Sequence, residues 1–504
     1  MSGAADAVER GPALSLARAA FPEEIAAAGA LAQAQAAEMA ALAGAEWTIR
    51  APAGSNGPGV PTPRGEQPAG PGSIAAITQA FANGSLDPVA LLATLFARID
   101  AIDPALASFV AIDRAGAIAA ARASSGRWAS GAPIGRLDGV PVGIKDVIDV
   151  AGLPTRCHSR VTDAGPAAAD AAIVTTLRGA GAVILGKLAT HEFAIGGPAF
   201  DLPFPPARNP WNLRHHPGGS SSGAGAAVAA GLVPLAIGTD TAGSARNPAS
   251  ACGVVGLKPG CGVLPVEGVV PLAPSLDHVG LLTRSVADMA IAAAALGIAV
   301  DDAPVGRVGY VRQFHTRDMT ATAETAAALD RVAETLGATA IALPPLGAFA
   351  LVNRIILQSE GFAAHGWAIS ERPAELSRLT RAALLPGAFT PAETLAAAFR
   401  AKQRLTEAVD AAFAHVDILL TASSMEPACR VDDPQEIARS YMLQARTPFN
   451  VTGHPALAMA AGLSAGGLPL SVQFAGRMGE EGRILAAAAA WERAMGGPLR
   501  PPSA

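Results

Sequence analysis

Aromatic side chains are scarce: Phe, Tyr and Trp make up 4% of the 504 residues, and only two are tyrosine. The core must therefore be built from Ala, Val, Leu and Ile. Charged residues are few as well, at 16%, and nearly balanced, with 37 Lys and Arg against 42 Asp and Glu. No basic stripe rises above that background, so the electrostatic footprint of a nucleic-acid binder is missing. Cysteine is limited to Cys157, Cys252, Cys261 and Cys429, without a C-x-x-C pair. That excludes a dense disulfide framework, fits a reducing compartment and leaves the four as small core residues. Long apolar runs are absent too. The two longest stretches without a charge, 217–239 and 447–476, are Gly-rich and broken by Pro234, Pro455 and Pro469. A membrane-spanning helix needs about 20 strongly apolar residues. The opening MSGAADAVER has no basic segment leading into an apolar one, so no secretory signal is expected. The expectation is a soluble cytoplasmic chain with no membrane or nucleic-acid partner, acting as a monomer or homodimer.

What is present is a large hydrophobic complement, half of all residues, which suffices for a sizeable core. Gly (54) and Pro (40) together stay below the roughly 25–30% that marks a low-complexity chain. Residues 51–72 are dominated by both and read as a linker or extended arm. Before it, Phe21-Pro22-Glu23-Glu24 opens an Ala-rich helical stretch reaching about Gly44, since Pro and acidic residues favour a first helical turn. Residues 1–72 are thus expected to form a helical extension plus linker, and 73–504 the main domain. There, Ser73 and Asp87-Pro88 cap predicted helices over 74–82 and 88–102. Predicted strands cover 108–112, 140–144, 183–185, 234–238, 308–311, 339–343, 416–420, 457–461 and 468–474. Further predicted helices cover 170–179, 221–230, 286–296, 319–336, 391–413 and 480–494. Strands alternating with helices give an α/β fold with both sheet faces covered.

Three clusters carry the chemistry. In GVPVGIKDV, Lys145 follows an apolar strand pattern. Desolvation there would lower its pKa and suit it to general-base work; the alternative is a strand-end lysine paired with Asp146 or Asp149. Residues 217–231, PGGSSSGAGAAVAAG, run from a Gly-Ser turn into a small-residue helix. Such a turn presents free N–H groups at a helix N-terminus, although the P-loop pattern of Lys then Ser/Thr is missing. Residues 238–259 place Ser244 after Asp240-Thr241-Ala242-Gly243. Small residues before a serine let backbone N–H groups converge as an oxyanion hole requires; the alternative is a Gly-rich turn capped by serine. Asp240 and Arg246 would pair to hold this loop.

Taken together, these clusters resemble the amidase signature family. The glycine- and serine-rich stretch 218–259, two serines 24 positions apart (Ser220 and Ser244), and PVGIKD upstream carry the resemblance. Outlying landmarks fit as well: Gly186-Lys187, Glu192-Phe193-Ala194, Asn209-Pro210-Trp211, Ser275 to Gly280, and PFNVTGHPAL at 448–457. The match covers about residues 73–495. It implies a twisted mixed sheet with helices on both faces, a metal-independent Ser–cis-Ser–Lys triad, and no cofactor. Ser244 would be the nucleophile, Ser220 the bridging serine after a cis Gly219–Ser220 bond, and Lys145 the base. The N–H groups of Thr241, Ala242, Gly243 and Ser244 would hold the oxyanion. Gly219, Ser221 and Asn247 would contact substrate, Asn247 at its carbonyl or leaving group.

The implied activity is hydrolysis of a linear amide C–N bond of a small molecule, through an acyl-enzyme, to a carboxylic acid and ammonia or amine. Carbamates and biuret- or allophanate-type ureides are the alternative substrates within the family. A further alternative is the amidase subunit of a glutamine-dependent tRNA amidotransferase, with the N-terminal helix standing in for a small helical partner. Two departures from the family pattern occur: Ala242 where Gly is usual, expected to restrict φ and narrow the acyl pocket, and Ala245 where a larger aliphatic residue is usual, expected to widen it. The segment 421–428, TASSMEPA, also departs. Pocket walls are expected from 155–215 and 310–400, with Phe200, Phe204, Trp211, Phe362 and Trp367 as wall or core residues. A rival constellation exists. Gly219 to Gly223 matches the G-x-S-x-G elbow of α/β-hydrolases, with Ser221 as nucleophile, His454 as base and Asp417 or Asp432 as orienter. Otherwise His454 is a turn histidine bonded to backbone, and His215-His216 point to opposite sides of an extended chain.

Overall fold

A computed structural model describes residues 14–49, 72–300 and 304–502. Residues 51–71 of the Pro/Gly-rich segment lie outside the described residues. In chain order the strands are β1 (Phe109–Ile112), β2 (Pro141–Lys145), β3 (Val183–Leu188), β4 (Leu235–Thr239), β5 (Val255–Lys258), β6 (Val279–Thr283), β7 (Val308–Tyr310), β8 (Thr339–Ala340), β9 (Ile418–Ala422), β10 (Ala456–Leu463) and β11 (Pro469–Gly476). They form one sheet in the order β1-β3-β2-β4-β6-β5-β10-β11-β9-β7-β8. β2 runs parallel to β3 and β4, and β7 parallel to β8 and β9; the other pairings are antiparallel. The sheet is therefore mixed, as expected.

β2, β3 and β4 are buried at every position, which is why their sequences are apolar without alternation. Neighbouring side chains enter different cores. Ile184, Leu235 and Ile237 join one cluster, while Val183, Leu185 and Ala236 join a second. The Ser222–Ala229 helix is buried along its whole length in the second cluster. Its small residues permit close contact: a Cβ at Gly223 would lie 2.3 Å from the Ser108 carbonyl oxygen, and one at Gly225 2.6 Å from Pro248 Cβ.

All nine predicted strands appear, although 339–343 keeps only two residues. β5 and β6 were not expected. Each is four or five residues long and contains glycine, so neither offers a run that stands out from its loops. The 26-residue Leu346–Glu371 helix was not expected either, because it is buried on several sides and shows no clean amphipathic period.

The N-terminal helix Pro22–Leu42 is not a free appendage. Ile25, Ala28 and Met39 join the first core cluster. Arg381 donates to both Glu24 carboxylate oxygens at 3.0 and 3.1 Å and lies 3.8 Å from the Phe21 ring centroid. Gln35 Nε2 donates to Gln358 Oε1 at 3.0 Å in a buried contact with the Leu346–Glu371 helix. Gln35→Leu would leave that acceptor unpaired, and it is expected to cost about 1–3 kcal/mol. Urea unfolding of the full chain measures this; an unchanged midpoint would mean the contact contributes nothing.

Candidate active site

Lys145 ends β2 and is fully buried. Its Nζ lies 2.7 Å from Ser220 Oγ and 2.7 Å from Thr239 Oγ1, at the end of neighbouring β4. Burial lowers its pKa to about 7, against opposing pulls from Asp240, Asp277 and Cys157. The alternative pairing with Asp146 or Asp149 does not occur: Asp146 Oδ1 is 3.1 Å from Lys187 Nζ. An amine with two hydroxyl neighbours and no carboxylate in contact is the arrangement in which lysine can act as a base.

The Gly219–Ser220 peptide is cis. The turn around it is held by imidazoles. A Cβ on Gly219 would fall 2.1 Å from His191 Cε1, so the ring occupies the space any side chain would need. The His191 N–H donates to the Ser220 carbonyl at 3.1 Å. His216 Nδ1 accepts the Gly218 N–H at 3.1 Å, and its Nε2 is 3.3 Å from His191 Nε2. Burial pulls His216 down to about 3 and His191 well below its usual range, so both rings are neutral. With Nδ1 accepting, the His216 proton must sit on Nε2 and point at His191.

Ser244 sits on a loop organised by one carboxylate. Asp240 accepts the Gly243 N–H at 2.9 Å through Oδ1 and the Ala245 N–H at 3.1 Å through Oδ2. The Arg246 guanidinium contacts both oxygens, at 2.7 and 3.0 Å, with both side chains buried. The expected Asp240–Arg246 pair is thus present. The N–H groups of Thr241, Ala242 and Ser244 meet no protein acceptor among the described residues, whereas that of Gly243 is committed to Asp240. The predicted oxyanion donors reduce to three. Thr241 is itself fixed, its Oγ1 donating to Asp277 Oδ1 at 2.6 Å and its carbonyl accepting Asn353 Nδ2 at 3.2 Å.

Ser220, Ser244, Gly219, Thr241, Ala242 and Asn247 all line a cavity of about 240 Å³. Ala242 is not among the residues with positive φ, so its methyl group carries no backbone strain. Ala245 does not widen the cavity. It points the other way, and a Cβ on Gly280 of β6 would fall 2.6 Å from its methyl carbon. Ser221 is not a substrate contact either: it is fully buried, with Oγ donating to the Thr239 carbonyl at 3.2 Å.

Part of the wall comes from His191 to Gly196 and Ala350 to Gln358, inside the expected segments; Tyr441 to Thr447 was not foreseen. None of the five singled-out aromatics lines it. Phe362 is core, Phe200 and Trp367 are exposed, Phe204 packs on the His158 ring, and Trp211 Nε1 donates to the Cys252 carbonyl at 2.8 Å. Cys261 is exposed rather than core. The α/β-hydrolase constellation is not assembled. His454 bonds Thr452 Oγ1 at 2.9 Å and Asp410 Oδ1 at 3.0 Å, both side chains rather than backbone, while Asp417 pairs with Arg307 and Asp432 with Arg430. Thr239, Asp277 and Arg446 were missed, since nothing local in the sequence links them to the serines.

The family model described as Amidase matches residues 90–485. The chain belongs to the amidase family. A curated relative from Myxococcus xanthus (strain DK1622), by name the amidase-type component of a glutamyl-tRNA(Gln) amidotransferase, is 35% identical over 450 residues, covering 79% of this chain and 92% of the relative. A protein of the same name from Roseiflexus castenholzii is 46% identical over 219 residues, 44% of each chain. Among solved structures, one concerning a vestigial protein complex and the evolutionary origins of an s-triazine catabolic enzyme aligns with a TM-score of 0.79 and 29% identity, over 85% of this chain and all of that one. The peptide amidase of Stenotrophomonas maltophilia aligns with a TM-score of 0.73 and 26% identity, over 85% and 98%. Members of this family are hydrolases of amide C–N bonds, and among the described residues no helix is long and apolar enough to cross a membrane.

Proposed function

We propose that the chain cleaves a carboxamide by acyl transfer, with Ser244 as nucleophile, Ser220 as proton relay and Lys145 as base. The observation that carries this reading is the buried Lys145 amine, 2.7 Å from the Ser220 hydroxyl, beneath a cavity that Ser220 and Ser244 both line. The neutral amine takes the Ser220 proton as Ser220 takes that of Ser244. Ser244 Oγ bonds to the carbonyl carbon, and the oxyanion is received by the N–H groups of Thr241, Ala242 and Ser244, each such donor contributing about 3–4 kcal/mol. Ser220 then passes its proton to the departing nitrogen, the C–N bond breaks, and water hydrolyses the Ser244 ester. Gly219 and Asn247 are the residues placed to touch substrate.

The curated relatives favour a role within an amidotransferase, in which the released ammonia is passed on, over the free-standing small-molecule amidase expected from the sequence. The peptide amidase among the structural neighbours supports the free-standing role. In either case Ser244→Ala is expected to abolish turnover, and mass spectrometry of the wild-type chain mixed with a slow amide or a fluorophosphonate is expected to find the adduct on the peptide containing Ser244. Labelling elsewhere would overturn the assignment. Turnover by the purified chain alone, without added ammonia acceptor, separates the two roles.

A further inference from the structure

The charge lining the cavity narrows the substrate class. Arg446 and Arg354 line it, and no Asp or Glu does. Arg446 is 3% exposed and lies directly against the Ser244 loop: a Cβ on Gly243 would fall 2.7 Å from Arg446 Cδ and Nε. Its Nη1 donates to the Ser423 carbonyl at 3.0 Å and Ser424 Oγ at 2.7 Å, while its Nε has no partner. These are neutral acceptors from the 421–428 segment. Among the described residues no carboxylate pairs with Arg446, and Arg354 meets Met442 Sδ at 3.8 Å.

The nearest acids are already engaged, Asp240 with Arg246, Asp277 with Thr241, and Glu426 with Arg439. Burial and the neighbouring Arg246 pull Arg446 down to about 9, which still leaves it charged at neutral pH. A buried guanidinium with its charge uncompensated by protein is a site waiting for an anion.

We infer that the cavity selects a carboxamide that carries a carboxylate and no ammonium group, with Arg446 and Arg354 as the anion-binding residues. An α-amino acid amide such as glutamine would set its ammonium group among two guanidiniums with no lining carboxylate to receive it. This inference rests on the Ser244 acyl-transfer reading and adds the charge of the substrate.

The test compares succinamate, butyramide and glutamine as substrates of the full chain. Succinamate is expected to exceed butyramide in kcat/KM by about 100-fold, as expected for charge-assisted contacts made in a desolvated pocket. Arg354→Gln is expected to narrow that ratio at least tenfold, chiefly through KM. Arg446→Met should narrow it further. Because that variant removes a buried side chain that ties 423–424 to the loop, Arg354→Gln is the variant that decides. A ratio near one, or glutamine as the best substrate, overturns the inference. If none of the three is turned over, succinate must still raise the melting temperature of the wild-type chain and fail to raise that of Arg354→Gln; absence of protection overturns it equally. Anion preference persisting in a Ser244→Ala chain that still turns over would instead overturn the acyl-transfer reading alone.

Discussion

Replacing Lys145 with alanine is expected to lower kcat/KM by on the order of 10²–10⁴-fold, the range a positioned general base supplies. Lys145→Met keeps most of the side-chain volume and is expected to fall as far, which separates lost chemistry from a cavity beneath Ser220. Lys145→Arg is expected to fail as well, because a guanidinium does not give up its proton in a protein. The pH profile is the sharper readout. Only the neutral amine accepts the Ser220 proton, so activity rises with pH through the Lys145 pKa. Burial puts that value at about 7, against 10.5 for an ordinary lysine. The acid limb of kcat/KM should therefore be half-complete near neutrality, and it should be absent from any residual activity of Lys145→Met. A flat profile across neutrality, or a limb that persists in Lys145→Met, would remove Lys145 from the base role.

Lys145, Ser220 and Ser244 could be picked out before any coordinates because each lies in an unusual local pattern: a lysine closing a Val/Ile run, and serines set in glycine at a fixed interval. What made them a site could not be picked out the same way. Thr239 shares Lys145 with Ser220 only because β4 lies parallel to β2, a pairing across 94 positions. The Gly243 N–H reads as a free donor in the sequence, and only the fold shows Asp240 turning back to take it. Ala245 looks like a pocket residue by its place beside the nucleophile, yet the helix Arg246–Cys252 begins there and turns its methyl group into the sheet. The aromatic wall failed for a related reason. In a chain with so few rings, large side chains are natural candidates for a binding surface, but the cavity is walled by the middle of a helix with no clean period and by 441–447. The N-terminal helix was legible as a helix from its Pro-Glu-Glu start; its docking, through Glu24–Arg381 and Gln35–Gln358, depends on partners more than 300 residues away.

Arg246→Met is expected to destabilise the fold by about 3–5 kcal/mol, the usual cost of removing one partner from a buried ion pair. The reason lies in how many groups one guanidinium serves. Besides both Asp240 oxygens, it donates to Gln473 Oε1 at 2.6 Å, Asn450 Oδ1 at 2.6 Å and the Arg446 carbonyl at 2.9 Å. These partners come from β11 and from the 446–451 segment, so the loop bearing Ser244 is tied to elements 200 or more positions away. Burial alone would raise the Asp240 pKa; the charge and hydrogen bonds of Arg246, with a further bond from Asn450, hold it well below the usual carboxylate range. With the folded value depressed, the pair's contribution is present above the unfolded carboxylate pKa and is lost only as pH falls through the folded value. The wild-type chain should therefore take no slope from this group between roughly pH 5 and 8. Arg246→Lys is not expected to rescue, since a single ammonium cannot span acceptors arranged around a planar fork. Activity should fall along with stability, because Asp240 fixes the Gly243 and Ala245 N–H groups on either side of the nucleophile. Denaturant unfolding followed by near-UV circular dichroism measures the first effect and amide turnover the second. An Arg246→Met chain within 1 kcal/mol of the wild type, or one that keeps full turnover, would show that the Ser244 loop holds its shape without the pair.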